Sequence, residues 1–251
     1  MAGPDHELAQ DGPRADDLTQ EPGAAIRRPF LCVMPLQAFF NSFGYFAQAA
    51  GVTVAVSLAG IALGFVIGIA VCIARVSGGR WLGGLGACYV SVFRGVPLLV
   101  QLLFIYYFLA EFGLDVPALV AAVGGLALAS AAYQAEILRG ALNAVPRGQG
   151  EAAIAFGFSP LDTWRHILLP QALRISVPPL INEFILLLKA SSLVSVVGIA
   201  ELTRVSMNVA SSTYRPLEAY VGGGLFYLVI NLGLAALGNL AERRLAVGSR
   251  S

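Results

Sequence analysis

The stretch VTVAVSLAGIALGFVIGIAVCIA, residues Val52–Ala74, contains no charged side chain. The hydrocarbon core of a bilayer is crossed by about 20 apolar residues in a helix, so this run predicts a membrane span. Two further runs, Val116–Ala135 and Ala219–Ala241, are equally free of charge. Ala87–Ala110 is long enough but carries Arg94 and Gln101, and Val177–Ala200 carries Glu183 and Lys189. The composition agrees: 57% of the 251 residues are apolar and 12% are charged, about half the charged fraction of a soluble domain. The expected fold class is an all-α membrane protein with five transmembrane helices. A formal net charge of +1 gives no basic excess for a nucleic-acid partner, and three cysteines are too few for a disulfide framework.

Beyond these runs the material changes. Residues 1–29 hold six acids against Arg14, Arg27 and Arg28 and predict a disordered acidic tail. Residues 30–47, with Phe39, Phe40, Phe43, Tyr45 and Phe46, predict an amphipathic segment lying at the interface rather than another span. Residues 48–245 form the transmembrane domain and 246–251 a short C-terminal tail. Cytoplasmic loops retain arginine and lysine. Arg75, Arg80, Arg139, Arg147, Arg165, Arg174, Arg243, Arg244 and Arg250 fall on one side, and Arg14, Arg27, Arg28, Arg204 and Arg215 on the other. The expected orientation places the N-terminus outside and the C-terminus in the cytoplasm.

Gly60, Gly64 and Gly68 stand four residues apart in the first span and predict a flat face for close approach of another helix. The connection between spans three and four, residues 136–176, is the longest and is patterned like two short cytoplasmic helices. The first, Glu151–Phe156, stops at Gly157. The second begins with Ser159 as cap, Pro160 in the first position and Asp162 at the positive end of the dipole, and is expected to end at Pro170. Ile154, Phe156, Phe158, Trp164, Ile167 and Leu168 offer more apolar surface than a solvated loop exposes. They either dock a partner or pack on the ends of their own spans, and spacing does not choose.

The segment EAAIAFGFSPLDTWRHILLP, Glu151–Pro170, resembles the EAA signature of the membrane subunits of ATP-binding cassette importers. That signature reads EAA, three residues, G, nine residues, I, one residue, LP. YVSVFRGVPLLVQLLFIYYFL at 89–109, YQAEILRGALNAVPRGQGEAA at 133–153 and NEFILLLKASSLVSVVGIAEL at 182–202 are similar to the polar amino acid uptake branch of that family. The resemblance covers residues 50–245 and implies a permease subunit of the bacterial inner membrane, importing a polar amino acid. It implies a two-helix coupling loop seated on a cytoplasmic ATP-binding cassette subunit, with Glu151, Ala152, Ala153, Gly157, Ile167, Leu169 and Pro170 as coupling residues. It further implies a second permease subunit, identical or different, and an extracytoplasmic substrate-binding protein; ATP and magnesium belong to the ATPase partner. Two positions depart from the pattern. Val96 stands where threonine is usual, and Ala190-Ser191 where an acid and threonine are usual, which removes a charge beside Lys189.

Arg94, Glu183 and Lys189 are costly inside a bilayer, at about 2.5–3.5 kcal/mol each on insertion scales, and therefore need partners or a polar cavity. Arg94 is early enough in its span to snorkel to the headgroups. Glu183 and Lys189, six residues apart, do not share a helix face, which favours a polar path or gate. Gln101, Asn182, Ser191 and Ser192 join them as candidates for that path. No phosphate-binding loop surrounds Lys189, the single lysine, and of the two histidines His6 falls in the tail and His166 in the connection between spans three and four, which offers neither a metal cluster nor a histidine-based catalytic set. No catalytic residue, cofactor or metal is expected in this chain. Competing functions are the same machine carrying an opine or another small amine, an ion-coupled carrier using Glu183 and Lys189, and a non-transporting scaffold.

Overall fold

The computed structural model describes residues 37–247, and the side chains of residues 40–244. The expected acidic tail at 1–29 and the last residues, 248–251, lie outside the described residues. All described secondary structure is helical: α1 (Gln37–Ser77), α2 (Arg80–Gly95), α3 (Leu98–Glu111), α4 (Ala118–Ala144), α5 (Arg147–Ala155), α6 (Pro160–Thr163), α7 (Leu169–Ala190), α8 (Leu202–Thr213) and α9 (Pro216–Val247). A π-helical turn at Trp164–Leu168 joins α6 to α7, and a 3₁₀ stretch at Ser191–Val197 extends α7.

Four helical stretches are long and apolar enough to cross a membrane, namely Phe40–Ser77, Ala118–Ala144, Pro160–Val197 and Pro216–Arg244. The span expected at Ala87–Ala110 is not one straight helix. It is the pair α2 and α3, bent by 105° at Val96-Pro97. Proline lacks the N–H that would continue the ladder and forces the preceding residue out of the helical region. Val96 accordingly adopts φ −95°, ψ 133°.

The segment expected to lie at the interface, residues 30–47, is not a separate element over its described part. Residues 37–46 run without interruption into the first span as α1. Phe46 is fully buried with Ala49 against Leu202, Val209 and Ala219, so α8 and the start of α9 clothe the N-terminal end of α1. At the other end of the chain α9 continues to Val247, into the expected tail at 246–251.

α1 and α4 run side by side in the same direction, and the glycine stripe is the reason they can. A Cβ on Gly60 would stand 3.0 Å from Leu126 Cβ, one on Gly64 2.9 Å from the Ala127 carbonyl oxygen, and one on Gly68 3.1 Å from the Ala131 carbonyl oxygen. α4 answers with its own small residues, since Ala127, Ala131, Ala132 and Ala135 are buried. In lipid, where tails are as apolar as leucine, such close van der Waals contact is a main source of helix association. Around this seam Val56, Leu102, Leu126, Leu187, Val194 and Val197 bring α1, α3, α4, α7 and the 3₁₀ stretch into one core.

The two-helix connection differs from expectation in its boundaries. α4 extends to Ala144, and the first short helix begins at Arg147 rather than Glu151. Pro170 does not end the second helix: α6, the π turn and α7 form one run from Pro160 to Val197. A π turn widens the ring just before Pro170, which relieves the clash of a proline with the preceding turn and lets the helix pass through.

Candidate functional site

Two places in the molecule carry exposed or buried groups beyond those needed for packing. The first is the α5–α6 connection. α5 ends in a Schellman arrangement: the Phe158 amide donates to the Ala153 carbonyl (3.0 Å) and the Gly157 amide to the Ile154 carbonyl (2.9 Å), with Gly157 at φ +80°. Only glycine adopts that conformation without strain. The next helix is capped as its sequence predicts, the Asp162 amide donating to Ser159 Oγ at 3.2 Å. The apolar residues of this connection divide. Ile154, Phe156, Phe158 and Leu161 are exposed, Phe156 by 84%. Trp164, Ile167, Leu168 and Leu169 are half-buried toward the spans, with Leu168 against Ala141, Val145 and Ala172. Of the expected coupling residues, Glu151, Ala152, Gly157 and Pro170 are exposed and Ala153 is buried under the turn. Side chains packed toward the spans and apolar side chains left exposed thus both occur in the same short connection.

The second place lies between α4 and α7. Glu183 is 7% exposed, and its carboxylate accepts from Ser130 Oγ at 3.1 Å. Ser130 Oγ in turn accepts from Gln134 Nε2 (2.9 Å), which also donates to the Ile61 carbonyl (3.2 Å). The chain of hydrogen bonds therefore links α7, α4 and α1 across the glycine seam, where an unpaired polar group would be expensive. Arg94 stands within electrostatic reach of Glu183.

The remaining path candidates separate from one another. Lys189 and Asn182 are exposed, and among the described residues Lys189 forms no ion pair. Ser191 is buried with its hydroxyl donated to the Leu188 carbonyl (2.7 Å). Ser192 is half-buried, and its carbonyl accepts from Ser195 Oγ. Gln101 serves the break between α2 and α3: Nε2 donates to the Phe93 and Val96 carbonyls at 2.9 and 2.7 Å, the first of which lacks the amide donor that Pro97 cannot supply. Its Oε1 has no partner among the described residues.

Two further clusters escaped the sequence reading. Glu136 on α4 pairs with Arg75 from the end of α1 and with Arg139 at 2.8 Å, and lies 4.0 Å from Arg94. The Arg94 guanidinium also sits over the Tyr133 ring, 5.1 Å from its centroid, so it is anchored rather than merely extended to the headgroups. At the opposite end of α1, the fully buried Glu201 caps α8. It accepts from the amides of Thr203 (2.9 Å) and Arg204 (2.8 Å) and from the Tyr227 hydroxyl (2.7 Å). Burial pushes the Glu201 carboxyl above its ordinary range, against the donors, which favour the carboxylate. Thr53 Oγ1 completes the junction by accepting from the Leu202 amide (3.2 Å). A polar residue before a helical run is a legible cap signal; its Tyr227 partner is not.

Residues 60–247 match the family described as the binding-protein-dependent transport system inner membrane component. The chain is 40% identical over 220 residues to the octopine transport system permease protein of Rhizobium meliloti, covering 83% of this chain and 90% of that relative. It is 38% identical over 202 residues to the glutamine transport system permease protein of Escherichia coli, covering 80% and 92%. Among solved structures it is similar to an amino acid ABC transporter crystallised with histidines, with a TM-score of 0.80 and 37% identity over 83% of this chain and 98% of that one. Helical architecture, coupling signature and these likenesses agree, and the chain belongs to the binding-protein-dependent inner membrane components, as the permease subunit of an ATP-binding cassette importer.

Proposed function

We propose that this chain forms one half of a permease pair that imports polar amino acids across the bacterial inner membrane, driven by ATP hydrolysed on separate cytoplasmic subunits. The observation that carries the reading is the exposed cluster of Ile154, Phe156, Phe158 and Leu161 around the Gly157 turn, in a connection whose Leu168 packs on the ends of the spans. Such a surface suits a groove on an ATP-binding cassette subunit, which would hold the ATP and magnesium. Glu151 and the small Ala152 lie at its rim with Ala153 buried beneath, and displacement of α5–α6 would pass through the π turn into α7, and so to Glu183.

In this reading the bent α2–α3 pair counts as one span, giving five, with the N-terminus outside and the C-terminus in the cytoplasm. The gathering of Arg75, Arg94 and Arg139 at one end of α1 and α4 supports that orientation. The Glu183–Ser130–Gln134 chain is the polar element of the path, with exposed Lys189 and Asn182 facing a second permease subunit across it. An extracytoplasmic binding protein delivers the substrate to the opposite end. The likeness to an octopine permease favours opines as a second substrate class.

The test is uptake by proteoliposomes containing this chain, its ATPase and its binding protein, screened with labelled glutamine, arginine, histidine and octopine. ATP-dependent uptake lost in Glu151→Lys and Phe156→Ser is the expected result. Glu183→Gln, which keeps the acceptor for Ser130 but removes the charge, is expected to depress uptake of cationic substrates more than neutral ones. Uptake indifferent to ATP and to both loop variants overturns the reading in favour of an ion-coupled carrier.

A further inference from the structure

One apolar cavity of about 320 Å³ lies between α1, α4 and the root of α7 and is unused by the transport path described above. Its lining includes Ile69 and Cys72 from α1, Leu138 and Leu142 from α4, Trp164 from the π turn and Leu173 from α7. Leu173 is 44% exposed at its mouth, so the cavity is an open groove rather than a sealed void. The groove leads toward charge. Cys72 lies within electrostatic reach of both Arg139 and Arg75. Those two guanidiniums, with Arg94, share a single carboxylate within ion-pair distance, Glu136, so positive charge exceeds negative in the cluster even with Glu183 in reach of Arg94. Arg94 and Arg139 keep 45% and 35% of their side chains accessible, leaving donors free for a second anion.

We propose that this groove and the neighbouring arginine cluster form a binding site for an anionic phospholipid, with an acyl chain in the groove and the phosphate on Arg139 and its neighbours. An excess of guanidinium at the membrane boundary demands a counter-anion, because the low dielectric there penalises unpaired charge. Guanidinium is the side chain best shaped to hold phosphate with two parallel hydrogen bonds. Trp164, which lines the groove, is the residue type that settles at the headgroup level, and basic pockets between spans recognise lipid headgroups. A lipid so placed braces α1, α4 and α7 where the π turn enters the membrane.

The chain has two tryptophans, Trp81 and Trp164, so Trp81→Phe leaves Trp164 as the sole reporter. The full-length variant is placed in nanodiscs of unlabelled lipid containing a small fraction of brominated phosphatidylglycerol or brominated phosphatidylcholine, and quenching of Trp164 is compared. Stronger quenching by the anionic lipid is expected. Arg139→Gln, which leaves Arg75 and Arg94 on Glu136, is expected to weaken the anionic preference about fivefold, the weight of one basic residue at an anionic surface. Leu173→Phe, which fills the groove mouth, is expected to reduce quenching by both lipids. Competition by glycerol phosphate without an acyl chain is expected to fail. Equal quenching by the two headgroups, or a preference untouched by Arg139→Gln, overturns the proposal. Quenching abolished on pairing with a second permease subunit also overturns it and assigns the groove to that interface.

Discussion

Substituting Gly64 tests the α1–α4 seam most directly. In Gly64→Ala the new Cβ would meet the Ala127 carbonyl oxygen at 2.9 Å, Gln134 Nε2 at 3.1 Å and Ser130 Cβ at 3.2 Å, where ordinary contact begins at 3.4 Å. Two of the three cannot swing away: one is backbone, and one is the first atom of a buried side chain. The third, Gln134 Nε2, is fastened to Ser130 and to the Ile61 carbonyl. The helices must therefore part by about half an ångström, 3.4 minus 2.9 Å. Overpacking of this kind costs about 1–3 kcal/mol. Removing a mid-helix glycine returns about 1 kcal/mol of propensity. A net loss of about 1 kcal/mol is expected for alanine, on the order of 2–4 °C in Tm for a chain of this size. Leucine is expected to prevent folding. Gly124→Ala is the control, because a Cβ there meets nothing within 4 Å, and it should be neutral or slightly stabilising. The assay is thermal unfolding of the full chain in detergent, followed by proteoliposome uptake. The stretched seam also pulls on the Gln134–Ser130–Glu183 chain, so uptake is expected to fall more than stability does. Gly64→Ala matching both wild type and Gly124→Ala in Tm would refute the packing argument.

Two other perturbations have definite expected outcomes. Glu136→Gln leaves Arg75, Arg94 and Arg139 without the carboxylate they share. It is expected to destabilise the chain by on the order of 2–3 kcal/mol, below the 3–5 of a fully buried pair because the site is part-exposed, and a Glu136→Gln/Arg139→Gln double variant should recover part of the loss in denaturation experiments. Because burial raises the Glu201 carboxyl pKa above its unfolded value, the folded chain binds more protons there. The contribution of that group is full below its ordinary pKa of 4.5 and is lost as pH rises through its folded value. Wild-type Tm in detergent should therefore fall more steeply than that of Glu201→Gln as pH is raised from 4.5 toward neutrality, and parallel curves would contradict the assignment.

The features legible in the chain were those decided within a few residues. Hydrocarbon thickness selects apolar runs whatever their neighbours, so Val52–Ala74, Val116–Ala135 and Ala219–Ala241 announce spans. Gly60, Gly64 and Gly68 announce close approach because only the absence of a side chain permits it. Gly157 and the Ser159-Pro160-Asp162 cap act through bonds three to five residues long, and both stand where the sequence places them. Pro97 and Pro170 show the limit of that locality. The same residue type breaks the α2–α3 pair by 105° yet passes within the Pro160–Val197 run. In the second case a π turn absorbs the steric conflict, and the turn is held by packing of Leu168 on Ala141 and Ala172.

What only the tertiary structure decided is which polar group meets which. Glu183 finds Ser130 across 53 residues, Tyr227 finds Glu201 across 26, and the Leu202 amide finds Thr53 across 149. Sequence spacing measures distance along a helix and holds no information about distance between helices, so Glu183 was legible as a charge needing a partner while the partner was not. Gln101 marks the same boundary from the other side. As a polar residue in an apolar run it reads as part of a path, but the bend at Pro97 exposes carbonyls that claim its amide. Composition selected the membrane and the signature selected the family; the packing of helices that are distant in sequence selected the pairings.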